Sequence, residues 1–133
     1  MEFSIRKGLK GEKRIKVEDR HTAAHFGSGG VYVLATPVMI GLMEGASLEL
    51  MAKHLPEGYT TVGTSVNIKH LAATPVGMEV IAKTELIEID GRRLVFKVEA
   101  FDEVDKIGEG IHERFIVDEE RFMKKNEEKK AKR

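Results

Sequence analysis

A carboxylate lies in the middle of the most apolar stretch of the sequence, residues 37–55. This residue is Glu44, and no side chain three or four positions away on a helix is basic. A carboxylate that is buried without a cationic partner is costly, and such groups often have a perturbed pKa and a functional role. The other interpretation is a glutamate that reaches solvent or a hydrogen-bond donor inside the fold. The helical pattern alone leaves both interpretations open.

His70 is the second candidate for chemistry. It lies near the end of an alternating segment, residues 61–71, on the face predicted to carry Val62 and Val66. A histidine on a core-facing side is either a hydrogen-bonded core residue or part of a site. If the apolar helix packs on this face, it could bring His70 and Glu44 together.

Thr36 is the third candidate, and it directly precedes Pro37. A threonine at the N-cap with proline at the first helical position is a good helix start, which by itself explains the residue. Its hydroxyl would also stand at the positive end of the helix, where a developing oxyanion is stabilised. Both roles are compatible with the sequence.

Metal and thiol chemistry have little support. His21 and His25 are four residues apart, but no glutamate completes an HExxH pattern and the segment is rich in glycine. We therefore predict no metal site. The chain has no cysteine, which excludes disulfides, thiolate zinc sites and a cysteine nucleophile. This composition fits the reducing cytoplasm, and we expect the protein to be located there.

The elements that must position these residues are one helix and several strands. The strand candidates are residues 14–17, 61–71, 78–89, 93–101 and 107–117, with a hairpin turn at Asp90–Gly91 and a short helix from about Asp118. An apolar helix at residues 37–55 is covered only if a curved antiparallel sheet wraps it, which predicts an α+β fold. One chain leaves a sheet edge open, so we expect a dimer that pairs edges.

Length and charge restrict the function further. The 133 residues fit one domain, residues 1–123, followed by a charged tail, residues 124–133. The 22 basic and 22 acidic residues give zero net charge, which argues against nucleic-acid binding. The balance is uneven, with +3 in residues 1–20, −7 in residues 21–123 and +4 in the tail. No apolar run reaches the roughly 18 residues that span a bilayer, so we expect no membrane association.

Three segments together resemble the hotdog-fold acyl-CoA thioesterases of the fluoroacetyl-CoA thioesterase type. These segments are VLATPVMIGLMEGASLELM, TVGTSVNIKHLAATPVGM and EIDGRRLVFKVEAFDEVDKIGEGIHERF. The resemblance covers about residues 12–123, and it implies a hotdog fold, a curved antiparallel sheet around one long central helix. It also implies hydrolysis of an acyl-CoA thioester with no cofactor besides the CoA of the substrate.

The resemblance assigns roles to five residues. It implies that Thr36, Glu44 and His70 form the catalytic set, with Glu44 as nucleophile or as general base for water. Gly63 and Arg114 match positions that help to place the acyl group. The family acts as a homodimer, and the pantetheine arm enters near the subunit interface. The alternative assembly is a tetramer made of two such dimers.

One segment departs from the family pattern. In the fluoroacetyl-CoA enzyme, phenylalanines before the catalytic threonine form a lid over the acyl pocket, whereas this chain has HFGSGGVYVLAT there. The resemblance therefore predicts hydrolysis of a short or medium acyl-CoA, without selectivity for a fluorinated acyl group. The alternatives are a non-catalytic acyl-CoA or acyl-carrier binding protein on the same fold, and a hydratase on a related scaffold. Hydratases of that kind use a differently placed acid and histidine pair, and this sequence shows no such pair.

Overall fold

The computed structural model describes residues 3–133, in which five strands form one antiparallel sheet. In chain order the elements are β1 (Lys10–Lys16), a 3₁₀ turn (Asp19–His21), α1 (Ala23–Phe26), α2 (Thr36–Ala52), β2 (Tyr59–His70), β3 (Glu79–Asp90), β4 (Arg93–Phe101), β5 (Lys106–Asp118) and α3 (Glu119–Ala131). This arrangement confirms the predicted α+β class. No helix within residues 3–133 combines the length and the apolar character needed to cross a membrane.

The sheet curves around α2, as expected. Its strand order is β1-β3-β4-β5-β2, so β1 and β2 are the two edges. The helix packs against β1, β2, β3 and β4. Its buried side consists of Met39, Leu42, Met43, Ala46, Ser47, Leu50 and Met51. Burial of one large apolar side chain contributes about 1.5–3 kcal/mol, so this side fixes the helix on the sheet.

The opposite side of α2 is open, as expected if one chain covers only part of a helix that is apolar nearly all round. Pro37, Gly41, Leu48 and Ala52 are exposed, and their spacings of four, seven and four residues place them on one stripe. Leu48 alone exposes 38% of its surface. A largely apolar helical stripe that one chain leaves in water is a surface suited to contact with another molecule.

A β-bulge decides which side chains of β2 face α2. The register with β5 shifts between Gly63 and Ser65, which leaves Thr64 as the extra residue. The shift breaks the period of two, so Val62 lies on the outer face of the sheet. The prediction that Val62 shares a face with His70 is therefore wrong, because alternation counted along the sequence passes over the bulge.

Two element bounds differ from prediction for local reasons. In the hairpin between β3 and β4, Asp90 pairs with Arg93, so the turn residues are Gly91 and Arg92, one position later than predicted. Gly91 has φ of +62°, a conformation that glycine adopts at little cost. β1 begins at residue 10 and not at residue 14. Every second residue of this edge strand is charged and exposed, so the segment lacks the run of apolar residues that would predict a strand.

The charged tail continues a helix. Asp118 caps α3 by accepting a hydrogen bond from the backbone N–H of Arg121, at 3.1 Å. The helix runs to Ala131, and none of its residues is buried. The boundary predicted at residue 123 therefore falls inside α3, and the helix start predicted near Asp118 is confirmed.

Candidate active site

Glu44 lies on the open stripe of α2, between Gly41 and Leu48, with its side chain half-buried. Its carboxylate points toward Gly63 on β2. A Cβ atom added to Gly63 would lie 3.0 Å from Glu44 Oε2. Because Gly63 has no side chain, a small space remains between the strand and the Glu44 carboxylate. We call this space the Gly63 niche.

Arg114 and His112 form the other walls of the Gly63 niche. A Cβ on Gly63 would lie 3.4 Å from Arg114 Nη1 and 3.4 Å from His112 Cε1. The Gly63 position pairs directly with Arg114 across the two strands, which explains how the guanidinium reaches this place. The niche thus combines a carboxylate, a guanidinium and an imidazole around a strand position without a side chain.

The Arg114 guanidinium is held in place by hydrogen bonds. Its Nε donates to the Thr61 hydroxyl at 2.7 Å, its Nη2 donates to the Thr61 carbonyl at 2.8 Å, and its Nη1 donates to His112 Nε2 at 3.1 Å. Only 6% of Arg114 is exposed. Burial lowers the pKa of Arg114 from its ordinary value, and the nearby charge of Glu44 opposes this shift. The result is a fixed cation beside the niche.

Thr36 and His70 form a second cluster. The Thr36 hydroxyl oxygen lies 2.7 Å from His70 Nδ1. Thr36 is the first residue of α2, and the N-cap is Ala35, which makes no side-chain cap. The N-cap interpretation of Thr36 is therefore wrong, because its hydroxyl is engaged with the histidine and not with the helix backbone.

The other ring nitrogen of His70 has no partner. Within the part of the chain that the structure describes, Nε2 is buried and makes no hydrogen bond. A buried polar atom is normally paired, and leaving it unpaired costs about 1–3 kcal/mol. Burial lowers the pKa of His70 below its ordinary value of 6.5, and a contact with the Ala72 backbone that is too poor in geometry to count as a hydrogen bond opposes this shift, so the ring is neutral at pH 7. His70 is thus prepared to exchange a proton or a hydrogen bond with a further group.

A cavity of about 500 Å³ opens beside the Thr36–His70 pair. It is lined by Ala23, Ser28, Gly29, Val31, Val33, Leu34, Thr36, His70, Leu71, Ala72 and Ala73. Most of these side chains are small or apolar, which suits a hydrocarbon chain. Phe26 and Tyr32, the aromatic residues of the departing segment, are exposed and do not line the cavity.

One chain keeps the two clusters apart. Gly63 and His70 are seven residues apart on β2, which corresponds to about 20 Å along a strand. Thr36 and Glu44 are eight residues apart on α2, or about 12 Å along a helix. Within residues 3–133, no hydrogen bond joins Glu44 to His70. The expectation that one chain brings these two side chains together is therefore wrong.

Two residues of the site were not singled out from the sequence. His112 shares a face of β5 with Arg114, and the alternation of the two along this strand was the available signal. Thr61 gave no signal. It anchors Arg114 through two hydrogen bonds although the two residues are 53 positions apart.

A groove with unpaired cations lies at the junction of β5 and α3. Its volume is about 330 Å³, and it is lined by Arg92, Phe115, Ile116, Val117, Asp118, Arg121, Phe122 and Lys125. Within residues 3–133, Arg92, Arg121 and Lys125 make no ion pair, whereas Arg93 binds Glu88 and Glu113. Of these two neighbouring arginines, Arg93 is therefore neutralised by its carboxylate partners, whereas Arg92 has none among residues 3–133.

The histidines considered as metal ligands have other surroundings. His21 Nδ1 accepts a hydrogen bond from the backbone N–H of Glu18 at 2.9 Å, which closes the 3₁₀ turn. His25 is exposed on α1. Among residues 3–133, no group of three histidine, aspartate or glutamate side chains is arranged to hold a metal ion.

Comparison with known proteins gives consistent matches. The family described as fluoroacetyl-CoA-specific thioesterase matches residues 17–120. A fluoroacetyl-CoA thioesterase from Streptantibioticus cattleyicolor is 44% identical over 97 residues, which are 73% of this chain and 70% of that protein. A solved structure of a fluoroacetyl-CoA thioesterase superimposes with a TM-score of 0.88 at 36% identity, covering 95% of this chain and 98% of the other.

Two further structures extend this similarity. A variant of a fluoroacetyl-CoA thioesterase in complex with acetyl-CoA gives a TM-score of 0.89 at 36% identity, covering 94% and 98% of the two chains. A Thermus thermophilus protein described as a thioesterase superfamily member gives 0.89 at 28% identity, covering 96% and 95%. The sheet and its central helix are therefore the hotdog architecture that the sequence resemblance implied.

Proposed function

The chain belongs to the fluoroacetyl-CoA-specific thioesterase family, and from this premise and the geometry of its site we propose that it hydrolyses short or medium acyl-CoA thioesters to free acid and CoA. The observation that carries this proposal is the Gly63 niche, where a carboxylate and a fixed guanidinium converge on a strand position that has no side chain. We further propose a cytoplasmic location, which the absence of cysteine supports.

The proposed chemistry needs two things from the protein. A thiolate is a good leaving group, so the enzyme mainly activates a nucleophile and stabilises the developing oxyanion. Glu44 either attacks the thioester carbonyl or takes a proton from the attacking water. Arg114 orients the acyl group and stabilises negative charge, while His70 delivers or accepts a proton and Thr36 holds its ring. These side chains supply every group the reaction requires, so we propose that it uses no cofactor besides the CoA of the substrate.

We propose that two chains are required to complete the site. β2 is an edge strand, and the open stripe of α2 lies on the same side of the sheet as the exposed Val66. Antiparallel pairing of two β2 edges, centred between Gly63 and His70, covers the edge and the stripe at once. Such pairing brings His70 of the partner subunit close to the Gly63 niche. The unpartnered Nε2 then meets a carboxylate.

The substrate is accommodated in two places. The cavity beside Thr36 and His70 takes the acyl chain, and Gly29 on its wall leaves room for more than an acetyl group. Since no bulky aromatic side chain lines the cavity, we propose no selectivity for a fluorinated acyl group. The groove with Arg92, Arg121 and Lys125 offers local positive charge for the phosphates of CoA, although the chain as a whole has no net charge.

The test is a panel of acyl-CoAs from acetyl to octanoyl, including fluoroacetyl, with thiol release followed by a disulfide reagent. Wild type is expected to release thiol, and Glu44→Gln is expected to lower kcat at least about 100-fold with an unchanged unfolding temperature. Gln keeps the size of the side chain and removes its charge. Binding of acyl-CoA by calorimetry without thiol release would instead show a non-catalytic binding protein, and equal turnover in both proteins would refute the role of Glu44.

A further inference from the structure

His112 is a buried histidine that the proposed reaction does not use directly. It lies on the inner face of β5, two residues before Arg114, and only 1% of its surface is exposed. Its Nδ1 lies 2.8 Å from the carbonyl oxygen of Ser65, and its Nε2 lies 3.1 Å from Arg114 Nη1. Both ring nitrogens are therefore engaged, and they link the edge strand to the guanidinium.

The partners determine the form of the ring. A carbonyl oxygen only accepts hydrogen bonds, so Nδ1 carries the proton, and a guanidinium only donates, so Nε2 is the acceptor. Both contacts are satisfied only by the neutral imidazole with hydrogen on Nδ1. The two bonds to Thr61 hold Nε and Nη2 of Arg114, and His112 is the group that holds Nη1, the nitrogen that faces the Gly63 niche.

We infer that His112 is a positioning residue of the thioesterase site, which fixes Arg114 Nη1 at the Gly63 niche and connects it to Ser65 at the bulge of β2. The inference rests on the proposed function, because Arg114 acts on the acyl group in that proposal. His112 itself does not touch substrate. It orients the Arg114 guanidinium so that the second hydrogen of Nη1 points into the niche.

The charges around His112 predict how this arrangement responds to pH. Glu44 faces it from α2, Arg114 lies beside it on β5, and Glu113 is the intervening residue on the other face. Burial lowers the pKa of His112, with Arg114 lowering it further while the Ser65 hydrogen bond and the two glutamates oppose. The ring is thus neutral at pH 7. As the pH falls through this lowered pKa, Nε2 gains a proton, no longer accepts from Arg114, and repels it.

Two variants separate positioning from simple packing. In His112→Gln the side-chain oxygen lies where Nε2 was and accepts the hydrogen bond from Arg114. In His112→Asn the shorter side chain places its amide where Nδ1 was, so it keeps the hydrogen bond to the Ser65 carbonyl and loses the one from Arg114. We expect kcat of the Gln variant within about threefold of wild type and kcat of the Asn variant lower by about tenfold or more. Ser47→Ala is the matched control, since it removes a buried hydrogen bond to Thr84 away from the niche.

A pH profile of kcat/KM gives a second readout. On the acid side of the profile, kcat/KM of wild type is expected to fall with one more protonation step than kcat/KM of His112→Gln, because Gln does not titrate. Equal kcat in the Gln and Asn variants, or identical profiles for wild type and Gln, would overturn the positioning role. Absence of turnover in wild type with every acyl-CoA would instead refute the proposed function, so the two failures are distinguishable.

A measurement on wild type covers the case in which both variants unfold. Nitrogen-15 NMR of the histidine rings at pH 7 reports which nitrogen of His112 carries hydrogen. We expect the neutral form with hydrogen on Nδ1. A charged ring, or hydrogen on Nε2, would contradict the geometry on which the inference depends.

Discussion

Substitution of Gly63 by alanine tests whether the niche must be empty. The added Cβ lies 3.0 Å from Glu44 Oε2, so the carboxylate oxygen has to move by about 0.4 Å to reach ordinary contact at 3.4 Å. Glu44 has rotatable bonds, and such a displacement costs about 0.5–1.5 kcal/mol. We therefore expect the unfolding temperature to fall by only about 2–5 °C.

The effect on catalysis is expected to be larger than the effect on stability. Misplacing a reacting group by about 1 Å costs about 100-fold, so a shift of 0.4 Å together with a methyl group in the niche should lower kcat about tenfold or more. The assay is thiol release at saturating acyl-CoA, with Ser65→Ala on the same strand as control, because the Ser65 side chain makes no hydrogen bond among residues 3–133. Folded Gly63→Ala with kcat within twofold of wild type would refute the reasoning.

Three more predictions address the acyl cavity, the CoA groove and the acid stability. Gly29→Phe should lower kcat/KM for hexanoyl-CoA about tenfold while acetyl-CoA stays within about threefold, and equal loss for both would contradict the acyl cavity. Arg121→Glu with Lys125→Glu should raise KM for acyl-CoA about tenfold but leave the N-acetylcysteamine thioester, which lacks the nucleotide, unchanged. Burial acts to raise the pKa of Asp102, but two backbone N–H groups and the Thr74 hydroxyl outweigh it and lower the pKa. The stabilisation is therefore present above the unfolded pKa and lost as pH falls through the folded pKa, so the difference in unfolding temperature between wild type and Asp102→Asn should shrink as the pH falls below the ordinary pKa of an aspartate, and a difference that does not depend on pH would contradict this.

The secondary structure was largely predictable because its signals are local. β4 occupies the predicted residues 93–101, and the helix pattern of α2 is visible in the apolar composition alone. The bulge at Thr64 was not predicted, although Gly63 beside it is a signal, because an isolated glycine inside a strand often marks a bulge. It determines whether Val62 or Gly63 faces the helix, and so it determines the site.

Thr36, Glu44, His70, Gly63 and Arg114 could be named as candidates from the sequence, whereas Thr61 and the assembly of the site could not. Glu44 was recognisable as an isolated charge in an apolar helix. The contact of Thr36 with His70 joins residues 34 positions apart, and the anchoring of Arg114 by Thr61 spans 53 positions. Such contacts depend on strand register and not on local pattern. The separation of Glu44 from His70 in one chain also depends on topology, because the strand order leaves β2 at the edge.

Subunit complementation shows whether each active site is completed by two chains. Glu44→Ala and His70→Ala are each expected to be inactive, and they are mixed under conditions in which subunits exchange. Random exchange makes about half of the dimers mixed, and each mixed dimer contains one site with both residues intact, so about a quarter of wild-type kcat should return. If mixing restores no activity although mixed dimers are detected by mass spectrometry, both residues act within one chain and the account is contradicted.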